Sequence, residues 1–300
     1  MSDQNSEHRS EQDASNQGIL NPPDIPVRKS HSGFELPAIG FGTYKINGFD
    51  GIGAIESALR VGYRLIDSAY NYENEGIVGR AIRESDIPRE DVTVTSKLPG
   101  RHQDYDAARV TIEESVARMG LDYIDLYLIH WPNPSKGKYT DAWRALIDAK
   151  KQGIVKHIGV SNFLPGHIDM LIHSTGVAPE VNQIELHPYF QQSAQRAYDN
   201  THGIITEAWS PLGRANQMLK DTTLTAIAKK HGISVVQTIL RWHVQIGDVS
   251  IPKSMNPERQ RANIDLTSFT LDGDDMKQIA ALDNPEGRSF AQNPQWYEEF

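Results

Sequence analysis

Three ionisable side chains stand at the ends of short β-branched or apolar runs. Asp67 closes Tyr63-Arg64-Leu65-Ile66-Asp67, Lys97 closes Val92-Thr93-Val94-Thr95-Ser96-Lys97, and His130 closes Leu126-Tyr127-Leu128-Ile129-His130. Taken singly, each has an ordinary explanation: a capping carboxylate, a snorkelling lysine, a satisfied buried histidine. Brought into one apolar surrounding, the carboxylate and the ammonium must pair, because an isolated buried charge is very costly. A Lys–Asp pair beside a tyrosine makes a proton donor. A free phenol titrates at about 10, and a neighbouring ammonium favours the phenolate and lowers that value toward the working range. Tyr70 and Tyr72 both follow Asp67 in Ala69-Tyr70-Asn71-Tyr72-Glu73, and spacing alone does not choose between them. The 11 histidines contain no H-x-H or H-E-x-x-H spacing, so no metal site is expected.

The elements that must position these groups alternate along the chain. Strands are expected at 39–42, 63–67, 92–97, 123–130, 156–161, 180–184, 204–209 and 249–253. Helices are expected at 53–61, 75–84, 107–119, 141–151, 166–174, 193–199, 224–231 and 234–245. The segment 107–119 shows the helical period well, with Val110, Ile112, Val116 and Met119 apolar. Eight strand–helix units predict an α/β chain folded as a (β/α)8 TIM barrel, in which catalytic groups sit at the C-terminal ends of strands. Those ends are Thr43, Asp67, Lys97, His130, Ser161-Asn162, Gln183, Trp209-Ser210 and Lys253-Ser254, a polar and aromatic set that helix packing does not require. A doubly wound sheet would call for G-x-G-x-x-G after its first strand. Gly40-Phe41-Gly42 and Gly51-Ile52-Gly53 both lack the third glycine. An N-terminal β-hairpin is expected ahead of the barrel, Val27-Arg28-Lys29 against Phe34-Glu35-Leu36 across a turn containing Gly33. Residues 1–24 are polar and aperiodic and are expected to be a disordered tail. Residues 25–300 are expected to be one domain.

Composition narrows the function classes. Lys plus Arg number 30 against 39 Asp plus Glu, a net charge of −9, which argues against sequence-independent nucleic-acid binding. A small local cationic pocket for a phosphorylated cofactor is still compatible with that balance. There is no cysteine, so disulfides, thiolate catalysis and cysteine-ligated metals are excluded. No apolar run approaches a bilayer span and the first residues do not read as a secretory signal, so the expected location is the cytoplasm, with no membrane partner.

The stretch Gly62-Tyr63-Arg64-Leu65-Ile66-Asp67-Ser68-Ala69-Tyr70-Asn71-Tyr72-Glu73-Asn74-Glu75 resembles the first signature of the aldo-keto reductase family. Thr95-Ser96-Lys97-Leu98, Leu128-Ile129-His130-Trp131-Pro132, Gly159-Val160-Ser161-Asn162-Phe163, Asn182-Gln183 and Ile251-Pro252-Lys253-Ser254 resemble its other motifs, in the family's order. The resemblance runs from about Val27 onward. It implies NADPH-dependent reduction of a small-molecule carbonyl; the chain itself is expected to act as a monomer. In it Tyr72 is the proton donor, Lys97 and Asp67 tune it, and His130 orients the carbonyl. Tyr44, Tyr72, His130 and Trp131 would meet the substrate. For NADPH/NADP+ it implies Ser161, Asn162 and Gln183 on the carboxamide, Trp209 stacked on the nicotinamide, and Ser210, Leu212 and Gly213 around the pyrophosphate. Gly42, Thr43, Tyr44 and Asp67 would line the same site. Lys253, Ser254, Met255, Arg259 and Asn263 would hold the adenosine end. That end also has a physical argument of its own. Asn256-Pro257 is a good helix start, a helix N-terminus favours an anion, and Lys253 and Arg259 add positive charge.

The family pattern is not matched everywhere. Ala262 stands where a glutamate usually contacts adenine. Tyr44 and Pro99 stand where tryptophans often line the substrate mouth. Residues 290–300 are expected to fold over that mouth, with Trp296 and Tyr297 as candidate contacts. The competing readings are a non-catalytic NADPH-binding or sensing protein, a keto-sugar reductase of the 2,5-diketogluconate type as the specific activity, and a barrel aldolase using Lys97 as a Schiff-base nucleophile.

Overall fold

The computed structural model describes residues 24–213, 217–290 and 292–300. The expected tail, apart from Asp24, lies outside the described residues. Two short antiparallel strands, β1 (Val27–Lys29) and β2 (Glu35–Pro37), form the expected hairpin. Strands then alternate with helices: β3 (Phe41–Gly42), α1 (Gly48–Arg60), β4 (Leu65–Asp67), α2 (Glu75–Glu84), β5 (Thr93–Leu98), α3 (Tyr105–Met119), β6 (Ile124–Ile129) and α4 (Tyr139–Gln152). The second half runs β7 (Val155–Ser161), α5 (Pro165–Thr175), β8 (Val181–Glu185), α6 (Ser193–Thr201), β9 (Ile205–Trp209), α7 (Thr222–His231), α8 (Val235–Ile246), β10 (Val249–Ser250), α9 (Pro257–Ile264) and α10 (Gly273–Ala280).

Strands β3 to β10 are parallel and pair in sequence order. The ring closes between its first and last strands. Ile39 bridges Ser250, Gly40 donates its N–H to the Ser250 carbonyl at 2.8 Å, and Gly42 donates to the Pro252 carbonyl at 3.1 Å. A Cβ on Gly42 would lie 2.8 Å from the Ile251 carbonyl oxygen, so glycine there lets the two strands approach.

Strand alternation sorts the side chains. Leu65, Leu126, Leu128, Val181, Ile205, Val249 and Ile251 fill the barrel interior, and Leu36 of the hairpin plugs its lower end. The outward residues pack against the helices in the larger core, which includes Ile66, Val94, Tyr127, Ile129 and Val160. Because side chains repeat every two residues, the inward positions above Leu65, Val181 and Ile205 are Asp67, Gln183 and Glu207. The upper barrel is therefore polar by register.

Boundaries shift where local chemistry overrides the apolar pattern. The last strand ends at Ser250 because Pro252 has no N–H for the ladder. Helix α10 was not expected. Asp272 caps it by accepting from the N–H groups of Asp274 and Asp275, and buried Ile279 joins α7 and α8 in a separate apolar cluster. With so few apolar residues, its period carries little signal. Among the described residues, no helix is long and apolar enough to cross a membrane.

Candidate active site

The upper mouth of the barrel is a cleft of about 650 Å³. Asp67 at the end of β4 and Lys97 near the end of β5 meet beneath it. Lys97 Nζ donates to Asp67 Oδ1 at 2.7 Å, to Oδ2 at 2.8 Å and to the Ser68 carbonyl at 2.8 Å. Both side chains are removed from solvent. All three ammonium protons are used, which is what lets a lysine sit in the interior. Burial opposes its charge, but Asp67, Tyr72 and Glu207 outweigh burial and raise its pKa.

Tyr72 and Tyr70 lie on the same short 3-10 turn, Tyr70–Tyr72, and the structure separates them. Tyr72 lines the cleft. The Lys97 ammonium is 5.0 Å from its ring centroid, and its ring meets the His130 ring edge-on at 5.9 Å. The Tyr70 hydroxyl instead accepts from Arg118 at 2.6 Å, and its ring packs against His102, away from the cleft lining. The turn is held by Asn74, whose amide donates to the Thr43 and Ile46 carbonyls and accepts from Ser68. One expectation changes here. Burial pushes the Tyr72 phenol up to about 12, and Lys97 offsets only part of that rise. Without substrate the tyrosine is held firmly protonated, and the ammonium moderates the penalty of ionising it rather than bringing it to neutral pH.

His130, one residue past β6, faces the same cleft beside buried Trp131. Around the rim Ser161, Asn162, Gln183, Trp209, Ser210, Leu212 and Lys253 also line it, as do Gly42 and Tyr44. Ser161 Oγ donates to the Gln183 carbonyl at 2.8 Å, and Asn162 donates to Ser161 Oγ and the His130 carbonyl at 3.0 Å while accepting from Trp209 Nε1 at 2.8 Å. Asn162 (φ 63°) and Ser210 (φ 50°) take left-handed backbone directly after strands, a strain that is common where a fold aims side chains into a site. Gln183 Nε2 donates to two carboxylates, Asp67 at 2.9 Å and Glu207 at 2.7 Å. That fixes the amide orientation and turns its carbonyl oxygen to another partner.

The other expected cofactor residues do not face the cleft in the same way. Thr43 is buried and its hydroxyl donates to the Asp67 carbonyl at 2.8 Å. Gly213, Ser254, Met255, Arg259 and Asn263 lie outside the lining. The last four lead into or lie on α9, where Asn256 Oδ1 accepts from the Arg259 N–H at 2.9 Å. Arg259 and Met255 are exposed there, and Asn263 is buried.

Three charged residues, one buried beneath the cleft and two lining it, were not singled out in the sequence. Glu207 is fully buried under Asp67, and burial followed by the Asp67 charge raises its carboxyl to about 8. Its signal was available: Ile205-Thr206-Glu207-Ala208-Trp209 puts a carboxylate in phase with the two inward residues. Lys45, just past β3, lines the mouth. Glu299 does too, held by His130, Asn71 and Gly100. No spacing announced it, since an acidic pair near Trp296 and Tyr297 reads as solvated. Of those two aromatics, Tyr297 packs on Trp131 at 4.5 Å between ring centroids, while Trp296 is 65% exposed and turned away.

A buried, fully bonded Lys–Asp pair supporting a protonated tyrosine, with an imidazole and an apolar wall opposite, can deliver a proton to a carbonyl oxygen that is becoming an alkoxide. The rim fits a dinucleotide: a flat indole, an amide carbonyl committed to accepting, and a lysine beside a helix start. The Aldo/keto reductase family model matches residues 38–284, and the chain belongs to that family. It is 47% identical over 277 residues to 2,5-diketo-D-gluconic acid reductase B of Corynebacterium sp. (strain SHS752001), covering 92% of this chain and 99% of the relative. It is 41% identical over 269 residues to methylglyoxal reductase DkgA of Escherichia coli (strain K12), covering 89% and 96%. Among solved structures, a Gox0644 variant in complex with NADPH superposes with a TM-score of 0.86 at 40% identity, covering 90% of this chain and 98% of that one. An aldo-keto reductase of Bombyx mori in complex with NADP gives 0.84 at 32% identity, covering 92% and 98%.

Proposed function

We propose that this chain reduces aldehyde and ketone carbonyls of small molecules to alcohols with NADPH, Tyr72 giving the proton. The observation that carries the reading is the contact of Lys97 Nζ with both oxygens of Asp67 directly beside Tyr72, in one cleft with His130.

Bound NADPH supplies the hydride. Trp209 would offer a flat face to its nicotinamide ring, and the Gln183 carbonyl oxygen would be free to accept from its carboxamide. Ser161 and Asn162 shape the same subsite. Lys253, Arg259 and the first turn of α9 suit a phosphate. His130 and Trp131 orient the substrate carbonyl toward Tyr72. As charge grows on the carbonyl oxygen, the Tyr72 proton moves to it, and Lys97 stabilises the phenolate left behind. Orientation and placed donors supply the rate gain. In the reverse direction the same phenolate accepts the proton from an alcohol.

Dicarbonyls and keto sugars head the substrate classes, because the relatives above are named for them. We also propose that the chain acts as a monomer in the cytoplasm. The test is NADPH oxidation followed at 340 nm against aldehydes, ketoses and dicarbonyls, with NADH in parallel. Turnover with NADPH on several carbonyls is expected. Tight NADPH binding without oxidation on any of them would favour the sensing reading instead.

A further inference from the structure

Glu299 projects a carboxylate into the substrate end of the cleft. Its Oε1 lies 2.7 Å from His130 Nδ1 and accepts from Asn71 Nδ2 at 2.8 Å, and its Oε2 accepts from the Gly100 N–H at 2.8 Å. Its backbone is clamped as well. Asn133 Nδ2 donates to the Glu299 carbonyl at 2.7 Å, and the Glu299 N–H donates to Asn133 Oδ1 at 2.9 Å. The side chain is only 10% exposed. Burial disfavours its charge, but His130, Gly100 and Asn71 outweigh that and hold the carboxyl below its usual range. It is therefore an anion at neutral pH, in a fixed place.

The charges of the mouth are unevenly spread. Lys45 follows β3 and Lys253 follows β10, two strands that meet where the barrel closes. That arc suits the phosphates of a cofactor. Asp67 is neutralised by Lys97. Glu299 sits over the ends of β4, β5 and β6, tied to Asn71, Gly100 and His130. Arg101 reaches the far side of Asn71, at 2.5 Å from its Oδ1, but its guanidinium lies over the Tyr70 ring, outside the cleft lining. A carbonyl held by Tyr72 and His130 must place its neighbouring substituent close to this carboxylate. Glu299 is largely shielded from solvent, and like charges there repel more strongly than in water.

We propose that Glu299 sets the substrate class of the site: its clamped carboxylate beside His130 rejects compounds that carry a carboxylate within a few bonds of the reacting carbonyl and admits those whose group at that place is neutral. The proposal rests on the carbonyl-reductase reading. Glu299 is a specificity residue in it, and the proton still comes from Tyr72.

The test compares 2-carboxybenzaldehyde with 2-nitrobenzaldehyde, similar in size and differing in charge, by kcat/KM with NADPH at pH 7. The anionic-to-neutral ratio is measured in the native chain, Glu299→Gln and Glu299→Asp. Intrinsic reactivity cancels when ratios are compared between variants. Glu299→Gln is expected to raise the ratio about tenfold or more, equivalent to about 1.4 kcal/mol or more of differential transition-state binding. Glu299→Asp, which keeps the charge and disturbs the packing, is expected to keep the native ratio within about threefold. An unchanged ratio in Glu299→Gln, or an equal rise in both variants, overturns the proposal. If Glu299→Gln does not fold, loss of discrimination in the folded Glu299→Asp still overturns it. If the native chain reduces neither aldehyde nor any other carbonyl, the reductase reading itself fails, an outcome separable from an unchanged ratio.

Discussion

Asp67 and Glu207 are two buried carboxylates joined through one amide nitrogen, Gln183 Nε2, at 2.9 and 2.7 Å. Among the described residues Lys97 is the cation that balances them from within the barrel, so the second negative charge is disfavoured, and Glu207 is raised to about 8, by burial first and Asp67 second. A carboxyl whose folded pKa lies above its unfolded value binds an extra proton in the native state. The resulting stability is fully present below the unfolded value, about 4.3, and is lost as pH rises through about 8.

Glu207→Gln fixes the neutral form and should remove that loss, which for one proton is about 1.4 kcal/mol per pH unit within the window. Urea unfolding at pH 6 and pH 8 measures it. The native chain should lose stability between the two relative to Glu207→Gln. Parallel losses would show that Glu207 does not titrate there.

The opposite sign applies at the lower end of the barrel. Glu180 accepts from Lys150 at 2.6 Å and Ser32 at 2.5 Å and lies 2.8 Å from His157, tying the hairpin turn to α4 and β7. Burial opposes its ionisation, but these three partners lower its carboxyl to about 2. Its contribution is present above the unfolded value and is lost as pH falls from about 4.3 toward 2. Glu180→Gln should destabilise by about 2 kcal/mol at pH 7, discounted because Lys150 and His157 reach solvent. The deficit should shrink by pH 3. A deficit independent of pH would assign the effect to packing.

Outside the cleft lining, Arg259 stands exposed on the first turn of α9, close in sequence to Lys253, which does line the cleft. Arg259→Ala should weaken NADPH binding about tenfold or more, the scale of a charge-assisted hydrogen bond, and leave NADH within about twofold. Fluorescence titration of both cofactors checks this. Equal weakening would remove Arg259 from 2′-phosphate recognition.

Much of this architecture was legible because it depends on period and on strand ends. Asp67, Lys97, His130, Gln183 and Trp209 stand at or next to the ends of strand-like runs, and parallel pairing brings those ends to one mouth. The choice between Tyr70 and Tyr72 was not legible from spacing. It is made by Arg118 and His102, contributed by α3 and by the segment after β5, which engage Tyr70 and leave Tyr72 to the cleft. The phenol's high pKa also escaped sequence reasoning, since burial is a property of the assembled barrel. Glu299 escaped because its partners Asn71, Gly100, His130 and Asn133 are far away in the chain.

The central claim is that Tyr72 supplies the proton during carbonyl reduction, and single-turnover oxidation of bound NADPH in Tyr72→Phe tests it most directly. The account predicts a hydride-transfer rate at least about 100-fold below native, the scale of general-acid catalysis, with NADPH affinity within about threefold. A Tyr72→Phe chain that oxidised NADPH at the native rate with the same aldehyde would contradict it.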